Sequence, residues 1–141
     1  MIVKSVIDGF KKGLETTWML AKIIVPVFFV VTFLQYTPIL GWVAELFKPV
    51  MALFNLPGEA AIILVLGNFL NIYAAIGAIK AVDLSALEIT TLSMMLSFSH
   101  SQLVETAVAK KLGISGFKVV FIRVSLAVVS GIIIGRMGIL L

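Results

Sequence analysis

Polar residues cut the apolar runs of this chain at intervals shorter than a membrane crossing. In residues 3–15, Val3, Val6, Ile7, Phe10 and Leu14 share one face of a helix, while Lys4, Asp8, Lys11, Lys12 and Glu15 fall largely on the other. That spacing predicts an interfacial amphipathic helix over 1–16. An apolar run over 17–36 follows, predicted to span. Trp18 and Tyr36 stand near its ends as interface aromatics do, Lys22 lies in snorkelling reach of one end, and Pro26 allows a kink. Thr37-Pro38 and Gly41 mark a turn. Residues 42–54 are amphipathic again, with Glu45 and Lys48 among Trp42, Leu46, Phe47 and Val50. This piece is too short for a ~30 Å hydrocarbon core, so a second interfacial helix is predicted.

The next two segments carry the most information. In 57–80, Pro57 and Glu59 suit the first turn of a helix, and the apolar run is interrupted at Gly67-Asn68 and at Asn71. Two readings fit: one spanning helix, or two half-helices in a re-entrant hairpin with its tip near Gly67-Asn68. In 84–112, Ser85-x-x-Glu88 is a capping-box pattern that starts a helix, and Ser99-x-x-Gln102 repeats the pattern inside the same apolar stretch. Gly113 suits a C-terminal cap. The segment therefore reads as one crossing broken near Ser99-His100-Ser101. A final span is predicted over 117–138. In it Ala127, Gly131 and Gly135 form a small-residue stripe for close packing, within the chain or between subunits.

Composition turns this pattern into a class. The chain of 141 residues is 61% hydrophobic and 13% charged, against about 45–50% and ~25% in soluble domains. Lipid must solvate much of that surface, and the fold class predicted is all-α integral membrane: an amphipathic N-terminal helix, about three spanning helices with one broken, and a re-entrant hairpin. With no cysteine, disulfides, thiolate metal sites and a cysteine nucleophile are excluded. The net charge of +4 is spread along the chain, which suits membrane anchoring and provides no nucleic-acid patch. A four-crossing layout puts Lys4, Lys11, Lys12, Lys80 and Arg136 on one side against Lys48, Lys110, Lys111 and Lys118. The hairpin layout gathers Lys4, Lys11, Lys12, Lys110, Lys111 and Lys118 against Lys48, Lys80 and Arg136. The positive-inside bias favours the second, with the termini on opposite sides.

Two blocks carry a family resemblance. Leu56-Pro-Gly-Glu-Ala-Ala-Ile-Ile-Leu-Val-Leu-Gly-Asn-Phe-Leu-Asn-Ile-Tyr-Ala-Ala-Ile-Gly-Ala-Ile79 resembles the hairpin segment of Gate, or nucleoside-recognition, domain proteins. Ser97-Phe-Ser-His-Ser-Gln-Leu-Val-Glu-Thr-Ala-Val-Ala-Lys-Lys-Leu-Gly113 resembles the second block of the same family. Gate domains are similar to repeat units of concentrative nucleoside transporters and of the membrane part of ferrous-iron transporter B. There two inverted units bring hairpin tips and broken helices together around a solute or ion. The resemblance implies half of a transport or solute/ion-binding core, completed by a homodimer or a second Gate-domain protein, with an antiparallel pairing open. It also implies a bacterial or archaeal cytoplasmic membrane. The alternative is an assembly or regulatory partner that does not transport. This chain departs from those relatives in having one unit, no Gly-x-x-x-x-Gly-Lys phosphate loop and no cysteines.

The candidate solute- or ion-binding residues are Glu59, Asn68, Asn71, Ser99, His100, Ser101, Gln102 and Glu105. Glu59 fits a hairpin mouth, or equally a carboxylate complementing a helix dipole. Asn68 and Asn71 fit solute contacts at a tip, or amides serving backbone groups that lipid leaves unsatisfied. His100 is the one histidine. With Glu105 and Glu59 it offers a sparse ligand set for a divalent metal, with a monovalent cation the other ionic candidate. Arg123 snorkels or pairs with a carboxylate such as Glu105. An enzyme is not expected: one His near serines is no nucleophile–base pair without an orienting carboxylate and an oxyanion site.

Overall fold

The computed structural model describes residues 2–137. Gly138, the predicted end of the last span, lies outside them. Among the described residues the chain is all helical. Helix α1 runs Ile2–Gln35, and α2 runs Pro38–Met51 into a single 3₁₀ turn over Ala52–Phe54. Helices α3 (Ala60–Phe69), α4 (Ile72–Ala81), α5 (Ala86–Ser99), α6 (Gln102–Lys111) and α7 (Gly116–Met137) follow.

The predicted amphipathic helix and first span are one helix, not two. No glycine or proline stop separates them, and the Thr17 hydroxyl bonds back to the Gly13 carbonyl at 2.9 Å, inside the helix. Pro26 is accommodated without ending it. At 1.5 Å per residue α1 is about 51 Å long, well beyond a ~30 Å core. It stops at Tyr36-Thr37, where Pro38 starts α2 at its first position with Thr37 extended before it. The predicted turn over 37–41 is therefore shorter than its sequence signals, and Gly41 lies inside α2.

Residues 57–59 are a turn ahead of α3, closed by i→i+3 bonds from the Ala60, Ala61 and Ile62 N–H groups. Gly58 is required there: a Cβ would stand 2.0 Å from the Ala44 carbonyl oxygen of α2. The break in 57–80 falls at Leu70-Asn71, a few residues past the predicted tip. The chain folds back there, so that a Cβ on Gly67 would stand 3.1 Å from the Cβ of Ala75; in a straight helix those positions are about 12 Å apart. Helix α4 lies on α1, with Gly77 against Ile24 and Val27. The Gln35 amide closes the end of α4 by donating to the Ala81 carbonyl at 2.6 Å.

The core runs across α3, α4, α5 and α7 and sets alanines against large apolar side chains. Ala60, Ala75 and Ala78 are fully buried beside Ile63, Leu92 and Leu96. The Ala127–Gly131–Gly135 stripe of α7 is buried inside the chain. It faces Met95 of α5 and Phe54 of the 3₁₀ turn, and a Cβ on Gly135 would stand 1.9 Å from the Phe54 carbonyl oxygen. Outward, among the described residues two helices, α1 and α7, are long and apolar enough to cross a membrane, and only 6% and 11% of their most apolar windows are buried. Such length with so little burial marks lipid-facing helices, not the core of a soluble fold.

Candidate functional site at two helix breaks

The two breaks touch. After α3, the Leu70 and Asn71 N–H groups both turn back to the Leu66 carbonyl, at 2.9 and 3.2 Å. Asn71 is extended and caps α4, its Oδ1 accepting from the Ala74 N–H at 3.0 Å. After α5, His100 is extended and Ser101 takes a left-handed conformation with φ 52°. The Ser101 N–H then donates to the Gly67 carbonyl at 2.9 Å. Each helix end has orphan backbone groups, and lipid offers them no partner. Here a last-turn carbonyl of α3 accepts from the residue that opens α6.

Charge reinforces the second break. Arg123, on α7, sends Nε to the Phe98 carbonyl at 2.7 Å and Nη2 to the His100 carbonyl at 2.8 Å. Its Nη1 pairs with the Glu105 carboxylate. The carbonyl end of α5 is the negative end of its dipole and receives a cation; the first turn of α6 is positive and holds Glu105. The His100 Nδ1 lies 3.5 Å from Glu105 Oε1 and 3.3 Å from Ser101 Oγ. Serine and carboxylate thus face the same ring nitrogen. A nucleophilic relay needs one partner on each nitrogen.

Beside the breaks lies a cavity of about 680 Å³, walled by α3, α5, α6, α7 and the end of α2. Its lining is almost wholly apolar, with Phe47, Met51, Leu64, Val124 and Val128 among the wall residues. Its polar members are Asn68, Ser99, Gln102, Thr106 and Lys110. Asn68 Nδ2 bonds back to the Leu64 carbonyl at 2.7 Å, and the Ser99 hydroxyl to Met95 at 2.9 Å. Gln102 differs: it is only 9% exposed, and neither its amide nitrogen nor its amide oxygen has a protein partner. The Thr106 hydroxyl, one turn on, is also unpartnered.

The predicted site residues therefore separate into groups. His100, Ser101 and Glu105 meet at the α5/α6 break. Asn68, Ser99 and Gln102 line the cavity. Asn71 is a helix cap. Glu59 lies apart, before α3, in a cleft of about 500 Å³ shared with Glu45, Lys48 and Glu88, and Glu88 closes the capping box with Ser85. Among the described residues no three His, Asp or Glu side chains gather to hold a metal, so Glu59 does not join His100 and Glu105. The pattern Ser99-x-x-Gln102 forms no capping box: the residue before α6 is Ser101, without a side-chain cap. Sequence reading missed Thr106 and Lys110 in the cavity wall. The signal for Thr106 was its place one turn after Gln102, on the same face of α6.

The fold is thus a helical membrane unit with two broken segments that meet beside an open, mostly apolar cavity. Residues 17–118 match the Gate family, described as nucleoside recognition, and the chain belongs to that family. It is 49% identical over 131 residues to the uncharacterized membrane protein YvoD of Bacillus subtilis, covering 93% of this chain and 42% of the relative. It is 38% identical over 73 residues to the inner membrane protein YjiG of Escherichia coli K12, covering 50% of this chain and 46% of the relative. The matched segment thus covers less than half of each of these curated relatives. No solved structure matches it. It is an integral membrane protein of a family associated with transport, not catalysis.

Proposed function

We propose that the chain supplies one half of a solute-binding transport core in a bacterial cytoplasmic membrane. A second copy or a second Gate-domain chain would complete it, with an antiparallel pairing open. The observation that carries this reading is the joined pair of breaks beside a cavity in which the Gln102 amide is buried without a partner. Burying such a group costs about 1–3 kcal/mol, a cost that a bound solute's own donor and acceptor would offset. In this reading α3 and α4 form a re-entrant hairpin: at ten residues each they reach about 15 Å, half of a ~30 Å core. The relatives' names, membrane and inner membrane protein, support the location. The length of the Bacillus relative supports the half-core, since a chain more than twice as long has room for two such units. The family's description makes nucleosides the first solutes to try.

The test is uptake of radiolabelled uridine and adenosine into liposomes carrying the purified chain, alongside thermal shifts in detergent. Saturable binding by the wild type and its loss in folded Gln102→Leu are expected. A folded, oligomeric chain that neither binds nor moves these solutes would leave the alternative, an assembly partner without transport, and a stoichiometric Gate-domain protein should then co-purify.

A further inference from the structure

We propose that Arg123 is a built-in cation that occupies the ion position of the α5/α6 break, so that this half-core works without a bound Na⁺, K⁺ or divalent ion there. The transport consequence rests on the half-core reading; the charge argument rests on the break alone.

Unwound carbonyls and the C-terminal ends of half-helices attract cations, and in transporters built on broken helices such ends hold the coupling ion. The α5 end presents its Phe98 carbonyl and the His100 carbonyl that follows. Both are taken by Arg123, through Nε at 2.7 Å and Nη2 at 2.8 Å. The carboxylate that would complete an ion's oxygen shell, Glu105, is taken by Nη1 of the same guanidinium. One planar fork thus collects three oxygen partners from both sides of the break, which a spherical ion would otherwise gather. The pair is neutral, so the break carries no charge to recruit a further cation. The Arg123 side chain is 15% exposed, too enclosed for an external ion to compete without displacing it.

Arg123 is a positioning residue, and the test separates its charge from its bulk. Melting of the purified chain in detergent is followed in N-methylglucamine chloride and, at equal ionic strength, in NaCl, KCl and MgCl₂. The wild type should melt at the same temperature in all four. Arg123→Ala should melt lower by on the order of 10 °C. Millimolar guanidinium chloride should restore part of that loss saturably, while equal urea restores none. Should Arg123→Ala fail to fold, Arg123→Lys and Arg123→Met decide: the Lys variant folds and the Met variant does not. Four results would overturn the proposal. They are a saturable rise of the wild-type melting temperature with Na⁺, K⁺ or Mg²⁺, an unshifted Arg123→Ala, equal effects of guanidinium and urea, and indistinguishable Lys and Met variants. None of these readouts needs a solute, so failure to find uptake would count against the half-core and not against the built-in cation.

Discussion

Single residues here are decided by what stands within a few ångströms of them. Gln102 has an amide with no protein partner and an apolar cavity beside it. Gln102→Leu is therefore expected to stabilise the chain by about 1–3 kcal/mol, read from unfolding in detergent, while losing solute binding. Glycines sort in the same way. Gly135 meets backbone, which cannot step aside, so Gly135→Ala should cost about 1–3 kcal/mol. Gly113 has open space but a φ of +79°. Gly113→Ala should cost about 1 kcal/mol through strain alone. Gly41, inside α2 with nothing near it, should accept alanine with a gain of about 0.5–1 kcal/mol. Parallel melting curves of the three variants check the order. Sequence marked Gly131 and Gly135 as packing positions through their four-residue spacing. It could not say what they pack on, because the same stripe suits a neighbour in the chain or in another subunit.

Elements are decided by their ends. Ser85 and Glu88 form a full capping box, with the Ser85 N–H donating to Glu88 at 2.6 Å and the Glu88 N–H to Ser85 Oγ at 3.3 Å. Ser85→Ala should cost about 0.5–2 kcal/mol. The same pattern at Ser99 is idle, since the Ser99 hydroxyl turns back to Met95 and leaves the opening of α6 to Ser101. Ser99→Ala should thus have a smaller effect on α6 than Ser85→Ala has on α5, measurable by hydrogen exchange over each helix. Gly113 closes α6 as its sequence position predicts: Ile114 N–H bonds to the Ala109 carbonyl and Gly113 N–H to that of Lys110. Local signals read such caps because the partners lie within a turn. The α3/α4 break moved past Gly67-Asn68 because Asn71, an extended cap with an apolar helix ahead of it, is the better helix start. The re-entrant reading of these helices is testable directly, since the chain has no cysteine. Single cysteines replacing Glu59 and Asp83 should both label with a membrane-impermeant maleimide from one side. Labelling from opposite sides would mean a full crossing.

At the scale of the whole molecule, the chain leaves α1 and α7 largely uncovered and holds its cavity at the meeting of four helices and the end of α2. If a second copy completes the core, the protein mass in mild detergent, corrected for bound detergent, should be twice the 15.2 kDa of one chain. A mass of one chain, with uptake retained after reconstitution, would remove the need for a partner.

By itself the sequence determined the solvent and the punctuation. Hydrophobic excess made lipid the surroundings, and the polar interruptions with their caps marked where helices stop, because both depend on residues near one another in the chain. Tertiary structure decided what the interruptions are for. The hydrogen bond from Ser101 to Gly67, the hold of Arg123 on Phe98, His100 and Glu105, and the isolation of Glu59 from all of them join or separate residues tens of positions apart. No periodicity encodes those distances; they follow from how Gly67 lets α3 approach α5 and Gly131 lets α7 approach it.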